Sequence, residues 1–483
     1  MKIKFLVLLT IISVFLSACS ARRDDAASKV ERIPFVEDIL AQMTLEEKVG
    51  QMAQITLNVV TKGPDVFTAY EPVELNMDSV RKAIVQYGVG SILNTANNRA
   101  RTLEVWQSII GPIQDVAVNE TRLGIPVLYG IDAIHGTTYT AGATFFPQQI
   151  GQAATFNPEL VRRAAEITAY ETRASGIPWN FSPVLDIGRD PRWPRTWETF
   201  GEDVYLNKVL GVAMIRGYQG DDNDVSNPYR VAACGKHFLG YGVPVSGKDR
   251  TPAFIPEIEL RERHIPPFQA AIDAGMHTIM LNSGIINGVP VHASYELITG
   301  LLKTELGFTG LVLTDWVDIE NLYERDRVAS SHKEAIKIAI NAGVDMSMIP
   351  YNYVRFITYL VELVNEGAVP MSRIDDAVRR ILNTKYKLGL FETPITHYRD
   401  YPLFGSAEHH AAALQTALES ITLLKNNNSI LPLPKTARVL VTGPNSNSMR
   451  TLNGGWSYSW QGDKVEEFAQ AYYNILEAIQ KEI

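Results

Sequence analysis

The chain has 483 residues, of which 46% are hydrophobic and 20% charged, and its formal net charge is -8. That balance supports a sizeable buried core, excludes a disordered chain and argues against a nucleic-acid partner. With Cys19 assigned to a signal segment, Cys234 stands alone, so no internal disulfide framework is expected.

Residues 1–19 have the layout of a secretory signal. Lys2 and Lys4 lead, Phe5 to Leu16 is apolar, and Leu16-Ser17-Ala18-Cys19 closes the stretch. The apolar run is shorter than the ~20 residues of a membrane span. Small residues before a cysteine resemble a bacterial lipoprotein signal, which implies lipidation at Cys19. The implied location is the periplasm or outer membrane of a Gram-negative bacterium, with the lipid as the only membrane contact. Residues 20–32 are polar and read as a tether.

From Ile33 to Leu390, short apolar runs alternate with longer amphipathic stretches. Eight runs read as strands: 51–56, 91–94, 126–132, 180–186, 231–237, 278–283, 311–315 and 344–349. Four helices announce themselves between them. One covers 158–175, with Asn157 as its cap and Pro158 in its first turn. The others cover 257–274 before Gly275, 331–341 before Gly343, and 371–388 before Gly389. Eight strand-helix repeats predict an α/β fold, a closed (β/α)8 barrel over residues 33–390. A doubly wound open sheet would want a Gly-rich phosphate loop, and neither a GxGxxG nor a Walker pattern is present.

In such a barrel the C-terminal strand ends meet at one face. Those ends carry Asp132, Asp186, Lys236, His237, Asn282, Ser283, Asp315 and Asp345. Any of the acids alone could cap the following helix. A lysine at the end of a buried strand is costly unless it is paired. No HExxH or Cys/His cluster occurs, so no metal is expected, and no cofactor either. The run Leu311–Thr314 ends in Asp315 and then Trp316, a carboxylate beside an indole, as a nucleophile or base facing a stacked ligand would be. The loop from Gly188 to Asp203 holds Arg189, Arg192, Arg195, Trp193 and Trp197. Aromatic faces and guanidiniums suit a neutral polyol, with stacking on the rings and hydrogen bonds to the hydroxyls.

Five segments in order then resemble family 3 glycoside hydrolases of the bacterial β-glucosidase and exo-β-glucanase branch. They are Gly130–Gly136, the Arg/Trp loop, Gly235-Lys236-His237-Phe238, Thr314-Asp315-Trp316 and Gly454-Gly455-Trp456. The resemblance implies a retaining enzyme that releases glucose from the non-reducing ends of β-linked gluco-oligosaccharides. It makes Asp315 the nucleophile. Asp132, Arg195, Lys236 and His237 hold the hydroxyls of the first sugar, and Trp316 and Trp456 wall the next subsite. Two segments depart from the family. The sixth strand end reads Met280-Leu281-Asn282-Ser283-Gly284, where some relatives have a tyrosine. The loop from Gly240 to Arg250 lacks the Asp-Ser-His of the N-acetylglucosaminidases, which, with β-xylosidases, are the alternatives within the family.

Residues 391–406 read as a linker. Residues 407–483 open a second α/β domain, with a helix at 408–420, a strand at 438–442 and a helical pattern over 463–483. In the resembling family this domain is over twice as long and delivers the acid/base glutamate from beyond the point where this chain stops. The acid/base is therefore expected outside the chain and the second domain incomplete; Glu202 is the fallback acid within it. Two rival readings come from other classes. One is a surface lipoprotein that binds glycans without full catalysis. The other is a barrel aldolase using Lys236 as a Schiff base, which leaves Trp316 and the Arg/Trp loop without a role.

Overall fold

The computed structural model describes residues 30–482; the signal segment, Cys19 and most of the tether lie outside the described residues. Eight parallel strands form one sheet: β1 (Ala53–Thr56), β2 (Ser91–Leu93), β3 (Leu128–Ile131), β4 (Trp179–Asn180), β5 (Ala232–Phe238), β6 (Thr278–Leu281), β7 (Leu311–Leu313) and β8 (Ser347–Met348). Neighbours pair in chain order, and β8 returns to β1 through Ala53 opposite Ser347. A single parallel bridge, Leu313 to Met346, joins β7 to the approach to β8 and closes the barrel. Every strand residue of β1 to β7 is buried, as expected where helices cover the outside and side chains fill the inside.

The interior is tightly filled. Trp179 and Phe181 meet edge to face with ring centroids 4.8 Å apart. The Trp179 indole donates across to Thr278 Oγ1 at 2.8 Å. Gly130 faces both rings, and a Cβ there would stand 2.4 Å from the Phe181 ring, so only glycine fits.

The helices at 158–174, 332–342 and 371–387 form with the expected caps. Asn157 and Ser331 accept from backbone amides of their first turns. Gly343 and Gly389 take up positive φ past the ends. The stretch 257–273 is one helix wound through a π turn at 260–264, where the Ile265 amide reaches back to Leu260. Pro266 and Pro267 follow directly and cannot donate, so the regular ladder is not available there.

Three expectations are corrected. The fourth strand was expected over 180–186, yet Pro183 has no amide for the ladder. The strand is Trp179–Asn180, followed by one bridge at Val184. Residues 438–442 form no strand: no described segment pairs with them, and Leu440 is 86% exposed. The helical pattern over 463–483 splits into Val465–Phe468 and Ile475–Glu482. Asn474 and Glu477 bond reciprocally at 2.9 Å and start a new helix there.

The segment after residue 406 is only partly packed. The helix Ala407–Ser420 docks on Pro158–Ala174 through His409 Nδ1 and Glu171 Oε1 at 2.7 Å. Met449, Tyr458, Val465 and Ala469 bury themselves around Ala100. Among the described residues no helix is long and apolar enough to cross a membrane.

Lys385, on the 371–387 helix, is fully buried and bonds only to Gln51 Oε1 and the Pro126 carbonyl. Burial pushes its ammonium down to about 7, and Lys303 is likewise pushed down to about 7, by burial and then by Arg373 and Arg380. An unfolded lysine keeps its proton to about pH 10.4. From pH 7 to about 9 the unfolded chain therefore binds more protons than the folded one, and stability rises with pH. Lys385→Met is expected to remove roughly half of that rise in urea unfolding across this range. An unchanged slope would contradict the buried-lysine account.

Candidate active site

One cleft of about 550 Å³ opens at the C-terminal ends of the strands. Asp132, Arg195, Lys236, His237, Asp315, Trp316 and Trp456 all line it. The seven side chains come from segments far apart in sequence and are brought together by barrel closure.

Asp132 follows β3. Its Oδ1 accepts from Lys236 Nζ at 2.6 Å, and its Oδ2 accepts from Asn94 Nδ2 at 2.9 Å. The Asp132 amide donates to Asn94 Oδ1 at 3.0 Å, so Asn94 grips both the backbone and the side chain. Lys236 sits on β5, buried, with its ammonium 5.3 Å from the centre of the Trp456 ring. The buried lysine is thus paired and faces a π system, which offsets its desolvation.

His237 is oriented from behind. Asp186 Oδ2 accepts from its backbone amide at 3.0 Å and lies 2.8 Å from Nδ1. Burial pushes the Asp186 carboxyl up to about 7, against the pull of the His237 amide. Burial, with Arg195 beside it, drives the imidazole well below its usual range, so the ring is neutral. Arg195 donates to Nε2 at 3.2 Å, which assigns Nδ1 as the protonated nitrogen. Arg195 is itself held by Glu198 through two bonds of 2.9 and 2.7 Å.

Asp315 is 9% exposed. Its Oδ1 accepts from the Trp316 amide at 2.6 Å and its Oδ2 from Ser283 Oγ at 2.9 Å. Arg250 stands 3.9 Å and His237 Nε2 4.0 Å from Oδ2. Burial opposes the charge, but Arg250 first, then Arg195 and the Trp316 amide, outweigh it and hold the carboxyl well below the usual carboxylate range, the neutral His237 ring adding no charge of its own. The Lys236 ammonium is engaged by Asp132 and is not among these charges.

The aromatic walls have separate supports. Trp316 meets Tyr351 edge to face at 5.9 Å, and Tyr351 meets Phe67 at 4.6 Å. Trp456 comes from the segment beyond the barrel and has φ +56°. Gln148 Nε2 ties that segment down by donating to the Asn453 and Gly455 carbonyls at 3.0 and 2.8 Å. Asn98 accepts from the Trp460 amide at 2.7 Å.

Asp345 and Glu202 do not take the places expected of them. Asp345 precedes β8 and is absorbed by Lys303, Arg373 and the Val312 amide, away from the cleft. Glu202 is exposed and does not line the cleft. Sequence reasoning missed Asn94, Glu198 and Arg250. Glu198 lies three residues after Arg195, a spacing that could have paired them, and Asn94 is the polar end of the run 91–94; nothing in the local sequence singles out Arg250.

Residues 44–384 match the profile of the glycosyl hydrolase family 3 N-terminal domain, and 421–483 that of its C-terminal domain. The lysosomal beta glucosidase of Dictyostelium discoideum is 44% identical over 89% of this chain and 53% of its own length. The exo-1,3/1,4-beta-glucanase of a Pseudoalteromonas species superposes with a TM-score of 0.80 at 34% identity, over 94% of this chain and 56% of that one. The beta-glucosidase of Listeria innocua, solved in complex with glucose, gives a TM-score of 0.79 at 30% identity, over 94% and 59%. The chain spans about half the length of the curated relatives it matches.

Removing one partner of a buried ion pair strands the other, at a cost of roughly 3 kcal/mol, whereas an exposed pair is worth about 0–1 kcal/mol. Glu198→Ala is therefore expected to lower unfolding stability by about 3 kcal/mol, while Glu74→Ala, which breaks the exposed pair with Lys62, leaves it close to wild type. Equal losses in urea unfolding would contradict the role given to Glu198.

Proposed function

Since the chain belongs to glycosyl hydrolase family 3, we propose that it serves retaining hydrolysis of β-glucosides, taking glucose from non-reducing ends of β-linked gluco-oligosaccharides. The observation that carries this reading is a buried carboxylate, Asp315, kept ionised by two guanidiniums at the floor of a cleft with indole walls. In this reading residues 33–390 are the catalytic barrel, 391–406 the linker and 407–483 part of a second domain that contributes Trp456. Export and lipidation at Cys19 belong to the same proposal.

Asp315 attacks the anomeric carbon and forms a glycosyl ester, while an acid protonates the departing oxygen and then deprotonates water. Arg250 and Arg195 keep the attacking group charged before the step. Asp132, held by Lys236 and Asn94, has acceptor capacity left for a sugar hydroxyl. Lys236 and Arg195 donate to others, and neutral His237 has its Nε2 toward the cleft. Contacts that tighten as the ring flattens towards an oxocarbenium ion lower the barrier rather than only binding the ground state. Trp316 and Trp456 offer flat apolar faces to the next sugar.

Among the described residues the cleft-lining carboxylates are Asp132 and Asp315, and Asp132 is engaged by Lys236. The acid/base is thus assigned to a group outside this set. The same observation favours a second reading, a lipoprotein that binds glycans without full turnover.

Two experiments separate these readings. An aryl β-glucoside with an acidic phenol needs no protonation to leave, so this chain is expected to release its phenol, with turnover then set by unassisted attack of water on the ester, while cellobiose is cleaved at least roughly a hundredfold more slowly. Equal competence on both substrates would place an acid within the described cleft. Asp315→Asn is expected to lower aryl glucoside turnover roughly a thousandfold. Retained turnover would remove Asp315 as the nucleophile.

A further inference from the structure

Ser283 stands between two carboxylates. Its Oγ lies 2.9 Å from Asp315 Oδ2 and 2.5 Å from Asp318 Oδ2. A serine hydroxyl has one hydrogen to donate, so two acceptors contest one proton. Asp318, the first residue of the helix Asp318–Glu324, is buried and does not line the cleft. Its Oδ1 accepts from Asn321 Nδ2 at 3.0 Å and lies 3.6 Å from the Arg325 guanidinium. His292 Nε2 is 3.8 Å from its Oδ2. Arg325 also donates to the Ser283 carbonyl at 2.8 Å, which pins the serine backbone.

We propose that Asp318 is a positioning residue for the nucleophile, acting through Ser283 by competing with Asp315 for the hydroxyl hydrogen. The inference rests on Asp315 being the attacking group. A donor committed to a nucleophilic carboxylate stabilises its charge in the ground state and must be given up as that charge is consumed. Asp318 supplies the second acceptor. As an Asp315 oxygen bonds to the anomeric carbon, the bond to the leaving oxygen breaks and its electron pair departs with that oxygen. The carboxylate charge is lost into the ester, a weaker acceptor. The Ser283 hydrogen then turns to Asp318, which keeps its charge. When water cleaves the ester the carboxylate returns, and the hydrogen is shared again. The hydroxyl is never left without a partner.

Asp318→Asn tests this. Asn321 and Arg325 donate towards the Oδ1 side, so the amide oxygen belongs there and the amide NH2 faces Ser283. The serine then accepts from the amide and commits its hydrogen to Asp315. The readout is inactivation by 2,4-dinitrophenyl 2-deoxy-2-fluoro-β-glucoside, with the adduct located by peptide mass; its leaving group departs as the phenolate and needs no acid. The limiting rate of labelling at Asp315 is expected to fall about tenfold in Asp318→Asn while the inhibitor's half-saturating concentration stays within about twofold. In a Ser283→Ala background, Asp318→Asn is expected to change the rate by less than about twofold, because the contested hydrogen is gone. Asp318→Ala, which also removes the acceptor, serves if the asparagine variant does not fold and is expected to slow labelling in the same direction. Wild-type rates in the folded Asp318 variants, or a loss that persists in the Ser283→Ala background, would overturn the proposal and leave the nucleophile standing. A wild-type adduct on a residue other than Asp315, or none, would overturn both.

Discussion

A carboxylate buried to nine-tenths stays charged only where fixed cations face it. The candidate site is organised around that constraint. Arg250 and Arg195 stand by Asp315, but a guanidinium brought into a cleft needs an anchor of its own. Glu198 anchors Arg195 through both oxygens. Arg195 in turn fixes the tautomer of His237, and Asp186 sets that ring from the other side. Lys236 and Asp132 form a second pair that neutralises itself and leaves the carboxylate able to accept from a ligand. The site therefore has alternating charges, each held by backbone at a strand end or in a loop that follows one.

The barrel was legible because its signal is repetitive. Eight buried apolar runs with helical patterns between them admit few other folds, and the acid ending the Leu311–Thr314 run was visible as an expense without a packing reason. Asp132, Lys236 and His237 were legible for the same cause, since polar groups at the ends of buried strands need an explanation. Asp345 looked alike in sequence but belongs elsewhere, because β8 starts two residues after it. Asn94 ends the second run and carries the same signal without revealing its partner, and Arg250 was not legible at all. Their importance comes only from proximity in space, to Asp132 through barrel closure and to Asp315 through the loop after β5.

The region beyond residue 406 shows what local pattern cannot decide. A β-rich stretch such as 438–442 becomes a strand only if another strand lies beside it, and no described segment does. Trp456 is held because Gln148 and Asn98 reach its segment from the barrel loops. One wall of the cleft thus depends on polar contacts between chain regions over 300 residues apart, and those contacts involve backbone groups whose positions no composition or periodicity reveals.

The central claim is that five polar groups, from three strand ends and one loop, converge on one pyranose ring. A crystal structure of this chain with bound glucose tests it most directly. Asp132, Arg195, Lys236 and His237 are expected within hydrogen-bond distance of the sugar hydroxyls, with an Asp315 oxygen facing the anomeric carbon. Glucose seated elsewhere, or a ring in the cleft that leaves Asp315 out of reach of that carbon, would contradict the account.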